Sequence, residues 1–152
     1  MHDTIVSESN LEKQLADAVM NGQLVVYYQP KVALDTGAVV GMEALIRWQH
    51  PSGQLIPPGV FIPIAEKSTL ITQITRFVLY EACRQTRLWQ QLGLPEIVIS
   101  VNMSSTDFYQ DNVCAMIQRA LQKNDLAPQP TRLMYKLAVA EEVRKELIRL
   151  LP

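Results

Sequence analysis

Residues 24–48 read LVVYYQPKVALDTGAVVGMEALIRW, and this stretch decides the fold. Two runs rich in Val, Tyr and Ile, residues 24–34 and 38–48, flank Asp35-Thr36-Gly37. Extended segments around an Asp/Gly turn predict a hairpin, so the first two strands are expected to be antiparallel. Downstream the period changes. Residues 51–58 (PSGQLIPP) read as a loop, and Pro57-Pro58 launches a short helix through Phe61, Ile64 and Ala65 that ends near Lys67. A longer helix is predicted over about residues 71–92, where Ile74, Phe77, Val78, Ala82, Leu88 and Trp89 recur at helical spacing and Gly93 closes it. A buried-looking strand over 96–102 follows, then a helix over about 111–123 and a Pro-rich turn at 127–130. A strand over about 132–139 leads into a tail, 140–150, with Val143, Leu147 and Leu150 on one helical face.

Upstream of the hairpin, Asn10 is placed to cap a helix over about 11–21, with Leu11, Leu15, Ala18 and Val19 on one stripe and Gly22 as its terminator. Residues 1–10 are expected to be a disordered lead. After the hairpin, helices and strands alternate, which predicts an α/β fold with a parallel sheet. A complete (β/α)₈ barrel takes about 200 residues or more. Four strands are predicted here, so the expected architecture is a partial TIM-type barrel.

Composition narrows the function classes. The 152 residues are 48% hydrophobic and 19% charged with a net charge of −1, as for one ordinary globular domain. That balance offers no basic face for duplex nucleic acid. Cys83 and Cys114 both fall in apolar helical patterns and belong to no CxxC pair, so two buried free thiols are expected rather than a disulfide or zinc framework. The first residues, MHDTIVSESNLEKQ, are polar and acidic, unlike a signal peptide, and no apolar run reaches the roughly 20 residues that span a bilayer. A cytoplasmic protein with no membrane association is expected.

In a barrel of this kind, functional groups gather at the C-terminal ends of the strands. Glu43 lies in the second predicted strand, Asn102 ends the third and Lys136 lies within the fourth. Gln29 and Arg47 sit close by. A carboxylate with an amide oxygen is a hard-oxygen pair suited to Mg²⁺ or Mn²⁺. Arg47 has the planar fork that grips a phosphate.

Taken in order, YYQP (27–30), GMEALIRWQHP (41–51), PPGVFIPIAE (57–66), LYEACRQTRLW (79–89) and SVNMSS (100–105) resemble the EAL-domain family over about residues 11–137. That family cleaves one phosphodiester bond of cyclic di-GMP with divalent metals and a metal-activated water. The resemblance implies that Glu43 and Asn102 match metal ligands and that Gln29 and Arg47 match residues contacting the dinucleotide. It also implies that Leu45 and Pro51 shape the pocket beside them. Two departures follow. Where the family reads L-x-L-E-x-T-E, residues 133–139 read LMYKLAV, placing Lys136 at a metal-binding glutamate, Ala138 at the threonine and Val139 at the second glutamate. At about 4 Å, Lys⁺ and a dication repel by roughly 8 kcal/mol at an effective dielectric of 20. Glu141 and Glu142 read as the acidic first turn of the tail helix rather than as replacement ligands. The family's paired aspartates, catalytic lysine and later glutamate and glutamine match nothing in the sequence, and residues 138–152 read as a divergent tail.

The resemblance therefore implies a cyclic-di-GMP signalling protein that is catalytically inactive as it stands and does not hold Mg²⁺ or Mn²⁺ productively. It is expected to act through protein interaction or weak cyclic-di-GMP binding, with a second copy or a protein partner covering the open barrel. The alternatives are a metal-dependent phosphodiesterase giving linear pGpG, and a remnant without function.

Overall fold

The computed structural model describes residues 2–95, 97–104, 106–107, 113–126 and 133–138, with side chains over 10–95, 97–104, 106–107 and 114–126. The hairpin is its foundation. Strand β1 (Leu24–Val32) pairs antiparallel with β2 (Val39–Gln49), in register from Leu24↔Trp48 through Gln29↔Glu43 to Lys31↔Gly41. The turn closes through Gly37 N–H donating to Ala33 O at 2.8 Å and Ala33 N–H donating to Ala38 O at 2.9 Å. Alternation sorts the side chains of β2 onto two faces: Ala44, Ile46 and Trp48 are buried, while Glu43, Leu45 and Arg47 are half-buried on the other side.

β2 then pairs parallel with β4 (Val98–Ser104), from Gly41↔Val98 to Ala44↔Val101, and β4 pairs parallel with β5 (Leu133–Ala138). The main order is β1-β2-β4-β5. Gly41 makes the first contact possible, because a Cβ there would lie 2.9 Å from Val98 O. An antiparallel pair feeding a parallel sheet is the partial TIM-type barrel expected. The loop read over residues 51–58 needs a correction at two positions: β3 (Leu55–Ile56) pairs antiparallel with Trp48–Gln49. The cause is a tight turn in which His50 N–H donates to Gln54 O at 2.9 Å, folding the chain back on β2.

Helix α1 (His2–Met20) starts well before Asn10. The disordered lead over 1–10 is thus corrected at least from His2 onward: no Gly or Pro interrupts residues 2–9, so a helix nucleated on the Leu11–Leu15–Ala18 stripe propagates upstream. Helix α2 (Pro58–Glu66) begins with proline at its first position and buries Phe61, Ile64 and Ala65. Helix α3 (Leu70–Gln91) buries Ile71, Ile74, Val78, Leu79 and Ala82. It ends in a Schellman motif, with Gly93 at φ +74° and Leu94 N–H donating to Trp89 O at 3.1 Å. Helix α4 (Val113–Lys123) packs on α3 through Met116, Ala120 and Leu121.

Two further corrections concern β4 and the thiols. β4 runs two residues past the expected end, because pairing with β5 continues to Ser104↔Ala138, so Asn102 lies inside the strand. Cys83 is buried, but Cys114 is exposed, lying off the α4 face that carries Met116 and Ala120. The core centres on Trp48, Phe61, Leu15, Leu79, Ile99 and Val101 between the sheet and the helices. Trp48 packs edge-on against Phe61, and its indole N–H donates to Gln23 Oε1 at 3.2 Å. No helix among the described residues is long and apolar enough to cross a membrane. The Pro-rich turn, Val139 and the tail 140–150 lie outside the described residues.

Candidate functional site

The face of the sheet turned away from the helices carries the candidate residues, because alternation along β1, β2 and β4 places every second side chain there. Glu43 is the hub. Its Oε1 accepts a hydrogen bond from Asn102 Nδ2 at 3.0 Å, joining β2 to β4 across a gap of 59 residues in sequence. Its Oε2 lies 3.7 Å from Lys31 Nζ on β1. The Lys31 ammonium in turn donates to Ser100 Oγ at 2.8 Å. Ser100 is buried and is the register partner of Glu43. With the Lys31 side chain 40% exposed, the ion pair is a weak contributor, worth well under about 1 kcal/mol.

Gln29 is exposed and faces Glu43 as its register partner on β1. Lys136 is the register partner of Asn102 on β5. The backbone partners level with Glu43 are Gln29 and Ser100; Asn102 and position 136 stand two residues further along β4 and β5, and the Asn102–Glu43 hydrogen bond ties the two levels into one polar layer. Arg47 and Pro51 are not in that layer. Four residues of strand, about 13 Å, separate Arg47 from Glu43 along β2. Arg47 Nη1 donates to Ile46 O at 2.8 Å, and no carboxylate pairs with it among the described residues. Pro51 is exposed in the turn beyond β2. Leu45 lies between the two layers and lines a cavity of about 130 Å³, with Glu66, Thr75, Asn102 and Ser104 also on its wall. That cavity opens where β2 and β4, paired only as far as Ala44↔Val101, part company.

Two polar residues escaped the sequence reading. Lys31 shares a face with Gln29 because it lies two positions along the same strand, which is the signal that could have found it. Asp107, buried to 1% exposure, accepts hydrogen bonds on Oδ2 from Thr75 Oγ1 at 2.5 Å and Ser104 Oγ at 3.3 Å. Its backbone N–H donates to Ser104 Oγ at 3.4 Å. The Ser104-x-x-Asp107 spacing of a capping box foreshadows this second contact, but not the link to α3. Asp107 Oδ1 is buried and has no hydrogen-bond partner among the described residues.

Outside this face, burial pushes the Tyr28 phenol up, with Glu81 adding and Arg84 opposing. Tyr28 donates to Glu81 O at 3.2 Å and packs edge-on against Trp89, which pins β1 to α3. Burial also pushes the Cys83 thiol up to about 11.

The donor set among the described residues does not fit a divalent ion. Among the described residues, no three His, Cys, Asp or Glu side chains come together. Glu43 supplies one carboxylate, and Asn102 turns its amide N–H, a donor, toward it. The neighbouring strand position carries lysine. Mg²⁺ demands near-octahedral oxygen ligation, and one carboxylate with one amide leaves most of that shell unsupplied by the described residues.

An open sheet with an antiparallel first pair, parallel strands beyond it and polar groups gathered on its inner face defines a partial (β/α)-barrel. The profile of the EAL domain matches residues 12–147, ten residues beyond the point where the resemblance in the sequence was lost. Over 128 residues the chain is 42% identical to the bifunctional diguanylate cyclase/cyclic di-GMP phosphodiesterase MucR of Pseudomonas aeruginosa, covering 84% of this chain and 19% of that protein. It is 37% identical over 113 residues to the cyclic di-GMP phosphodiesterase PdeR of Escherichia coli, covering 74% of this chain and 17% of that one. A structure of the PaMucR phosphodiesterase in complex with c-di-GMP superposes with a TM-score of 0.78 at 39% identity, over 93% of this chain and 57% of that chain. The chain belongs to the EAL domain family. It spans less than a fifth of the length of these curated relatives.

Proposed function

We propose that this chain is an EAL-type cyclic-di-GMP signalling module that does not hydrolyse the dinucleotide by itself and acts through protein interaction. The observation that carries this reading is Lys136, register partner of Asn102, at the position where the family pattern has a metal carboxylate. Hydrolysis needs metals to neutralise the phosphate and to lower the pKa of the attacking water. A single carboxylate at Glu43 on β2, with Lys136 beyond Asn102 on β5, supports neither task. The test is incubation of purified chain with cyclic di-GMP and Mg²⁺ or Mn²⁺. No linear pGpG is expected. Product that grows with protein concentration and disappears in Glu43→Ala overturns the reading.

Nucleotide contact is a separate question. Gln29, Leu45 and Arg47 share the inner face of the hairpin, and Arg47 has no acidic partner among the described residues, which supports one wall of a nucleotide-binding surface there. The proposed affinity is weak, because only one wall of a pocket is supplied. Calorimetry with cyclic di-GMP in the absence of metal tests this, and tight binding abolished by Arg47→Ala contradicts it. Tyr27, Val32, Val39 and Val40 on the hairpin are exposed, and β1 pairs only with β2 among the described residues. A second copy or a protein partner covering this edge is part of the proposal. Sedimentation giving a monomer at all concentrations counts against it. The compartment proposed is the cytoplasm.

A further inference from the structure

The outer helical layer, on the side of the sheet opposite Glu43, contains a groove that none of the foregoing uses. Two adjoining cavities, of about 160 and 380 Å³, run between α1, α3 and α4 and share Arg76, Tyr80 and Lys123. Arg119 adds a third cation to the smaller one. Arg76, Arg119 and Lys123 are all exposed, and none makes a hydrogen bond or ion pair among the described residues. No acidic side chain among the described residues lines either cavity. In a chain whose formal net charge is −1, three unpaired cations converging on one concave strip form a local positive field that the overall balance conceals.

The floor of the strip is apolar. Met116 and Ala120, 6% and 5% exposed, lie at its base, Phe77 and Val19 extend it, and the Tyr80 ring is 38% exposed along it. Arg119 and Lys123 stand one helical turn apart, so the charges form a rim rather than a single convergent cradle. A bare phosphate would use the rim and waste the floor. A flat lipid surface would meet the cations and leave the concavity empty. A ligand satisfying both is elongated, with carboxylates on its flanks and aliphatic side chains toward the groove, which describes an amphipathic acidic helix.

We infer that the α1–α3–α4 groove is a docking site for an acidic amphipathic helix of a partner protein. Arg76, Arg119 and Lys123 pair with its carboxylates, and Tyr80, Phe77 and Met116 pack against its apolar stripe. Because the groove lies away from the inner face of the sheet, this docking is independent of nucleotide or metal at Glu43.

The test is fluorescence anisotropy of the intact chain with a labelled helical peptide of about 16 residues, carrying Leu at i, i+4 spacing and Glu on the flanks. A Lys-for-Glu peptide of the same pattern is the comparison. Saturable binding of the acidic peptide is expected, at least about tenfold weaker for the basic peptide. It should weaken about tenfold again for Arg119→Glu and for Lys123→Glu, each checked for native circular dichroism, and should be unaffected by Glu43→Gln. Raising the salt to about 0.5 M should also weaken it, since exposed charges are screened over a few ångströms there. Equal binding of both peptides, or wild-type binding by both charge-reversed variants, overturns the proposal. So does full competition by millimolar inorganic phosphate, which assigns the groove to a small anion. Binding to phosphatidylglycerol vesicles that is lost in the same variants, without peptide binding, assigns it to a lipid surface and equally overturns the proposal. Hydrolysis plays no part in these readouts, so failure here leaves the reading of the Glu43 site standing.

Discussion

The β1–β2 hairpin and the β4–β5 pair are built by the same ladder of hydrogen bonds, yet they have kept different things. The hairpin places Gln29, Glu43, Leu45 and Arg47 on one face, and these are the residues singled out in the sequence by their resemblance to the family pattern. The β4–β5 pair holds register over six residues, from Ile99↔Leu133 to Ser104↔Ala138, while carrying lysine where that pattern has a carboxylate. Backbone pairing is indifferent to the sign of a side-chain charge. Metal ligation depends on it entirely. A strand can therefore remain a good strand long after it has ceased to be a ligand, and the fold of an EAL domain is no guarantee of its chemistry.

Four measurements press on that contrast. The largest effect belongs to the hairpin's buried face. Trp48→Ala removes a fully buried ring together with its contact to Phe61 and its hydrogen bond to Gln23, and urea unfolding should report a loss of about 3–5 kcal/mol. A loss below about 1 kcal/mol would place the core elsewhere. Next is the tie between β4 and α3. Thr75→Val removes one of the two side-chain donors to Asp107 among the described residues and should cost about 1–3 kcal/mol in the same assay. An unchanged midpoint would mean that this carboxylate needs no second donor.

Lys136→Glu addresses the chemistry directly. It should tighten Mn²⁺ binding, followed by electron paramagnetic resonance, at least about tenfold, equivalent to about 1.4 kcal/mol, without giving hydrolysis. Equal Mn²⁺ affinity in wild type and variant would remove position 136 as the cause of the misfit. The smallest effect is confined to alkaline solution. The Cys83 thiol is held up to about 11 in the folded state against an ordinary value of 9.0, so the folded chain retains a proton that the unfolded chain releases. Stability should be unaffected by this group below pH 9 and should fall as pH rises from 9 toward 11. Cys83→Ala should flatten that decline, and an identical slope in the variant would assign it to another group.

What the sequence made legible follows from how far each interaction reaches along the chain. The hairpin, the α3 stripe and the Gly93 terminator are local patterns, and each was visible in a window of a few residues. Glu43 and Asn102 were found through the motif rather than through their mutual hydrogen bond. Lys31 was passed over because what singles it out, the contacts with Ser100 and Glu43, spans 69 residues in one case and crosses a hairpin in the other. Asp107 owes its place to Thr75, 32 residues earlier on another element. The two-residue β3 is too short to show any period, and the position of Cys114 on α4 depended on which face met α3. Those facts belong to packing, which no local window contains.

The reversed direction of β1 has a practical consequence for anyone handling this chain. In a parallel strand the residues that approach the functional rim come last, but in β1 they come first: Gln23 O accepts from Gln49 N–H at 2.8 Å, so the α1–β1 junction lies beside the end of β2. The turn at Asp35–Gly37 is carried to the opposite end, with its residues exposed. A fluorophore or epitope inserted at Thr36 would be a reporter remote from Arg47 and Pro51, whereas the same cargo fused between Met20 and Leu24 would crowd them. The hairpin tip is the natural handle for labelling.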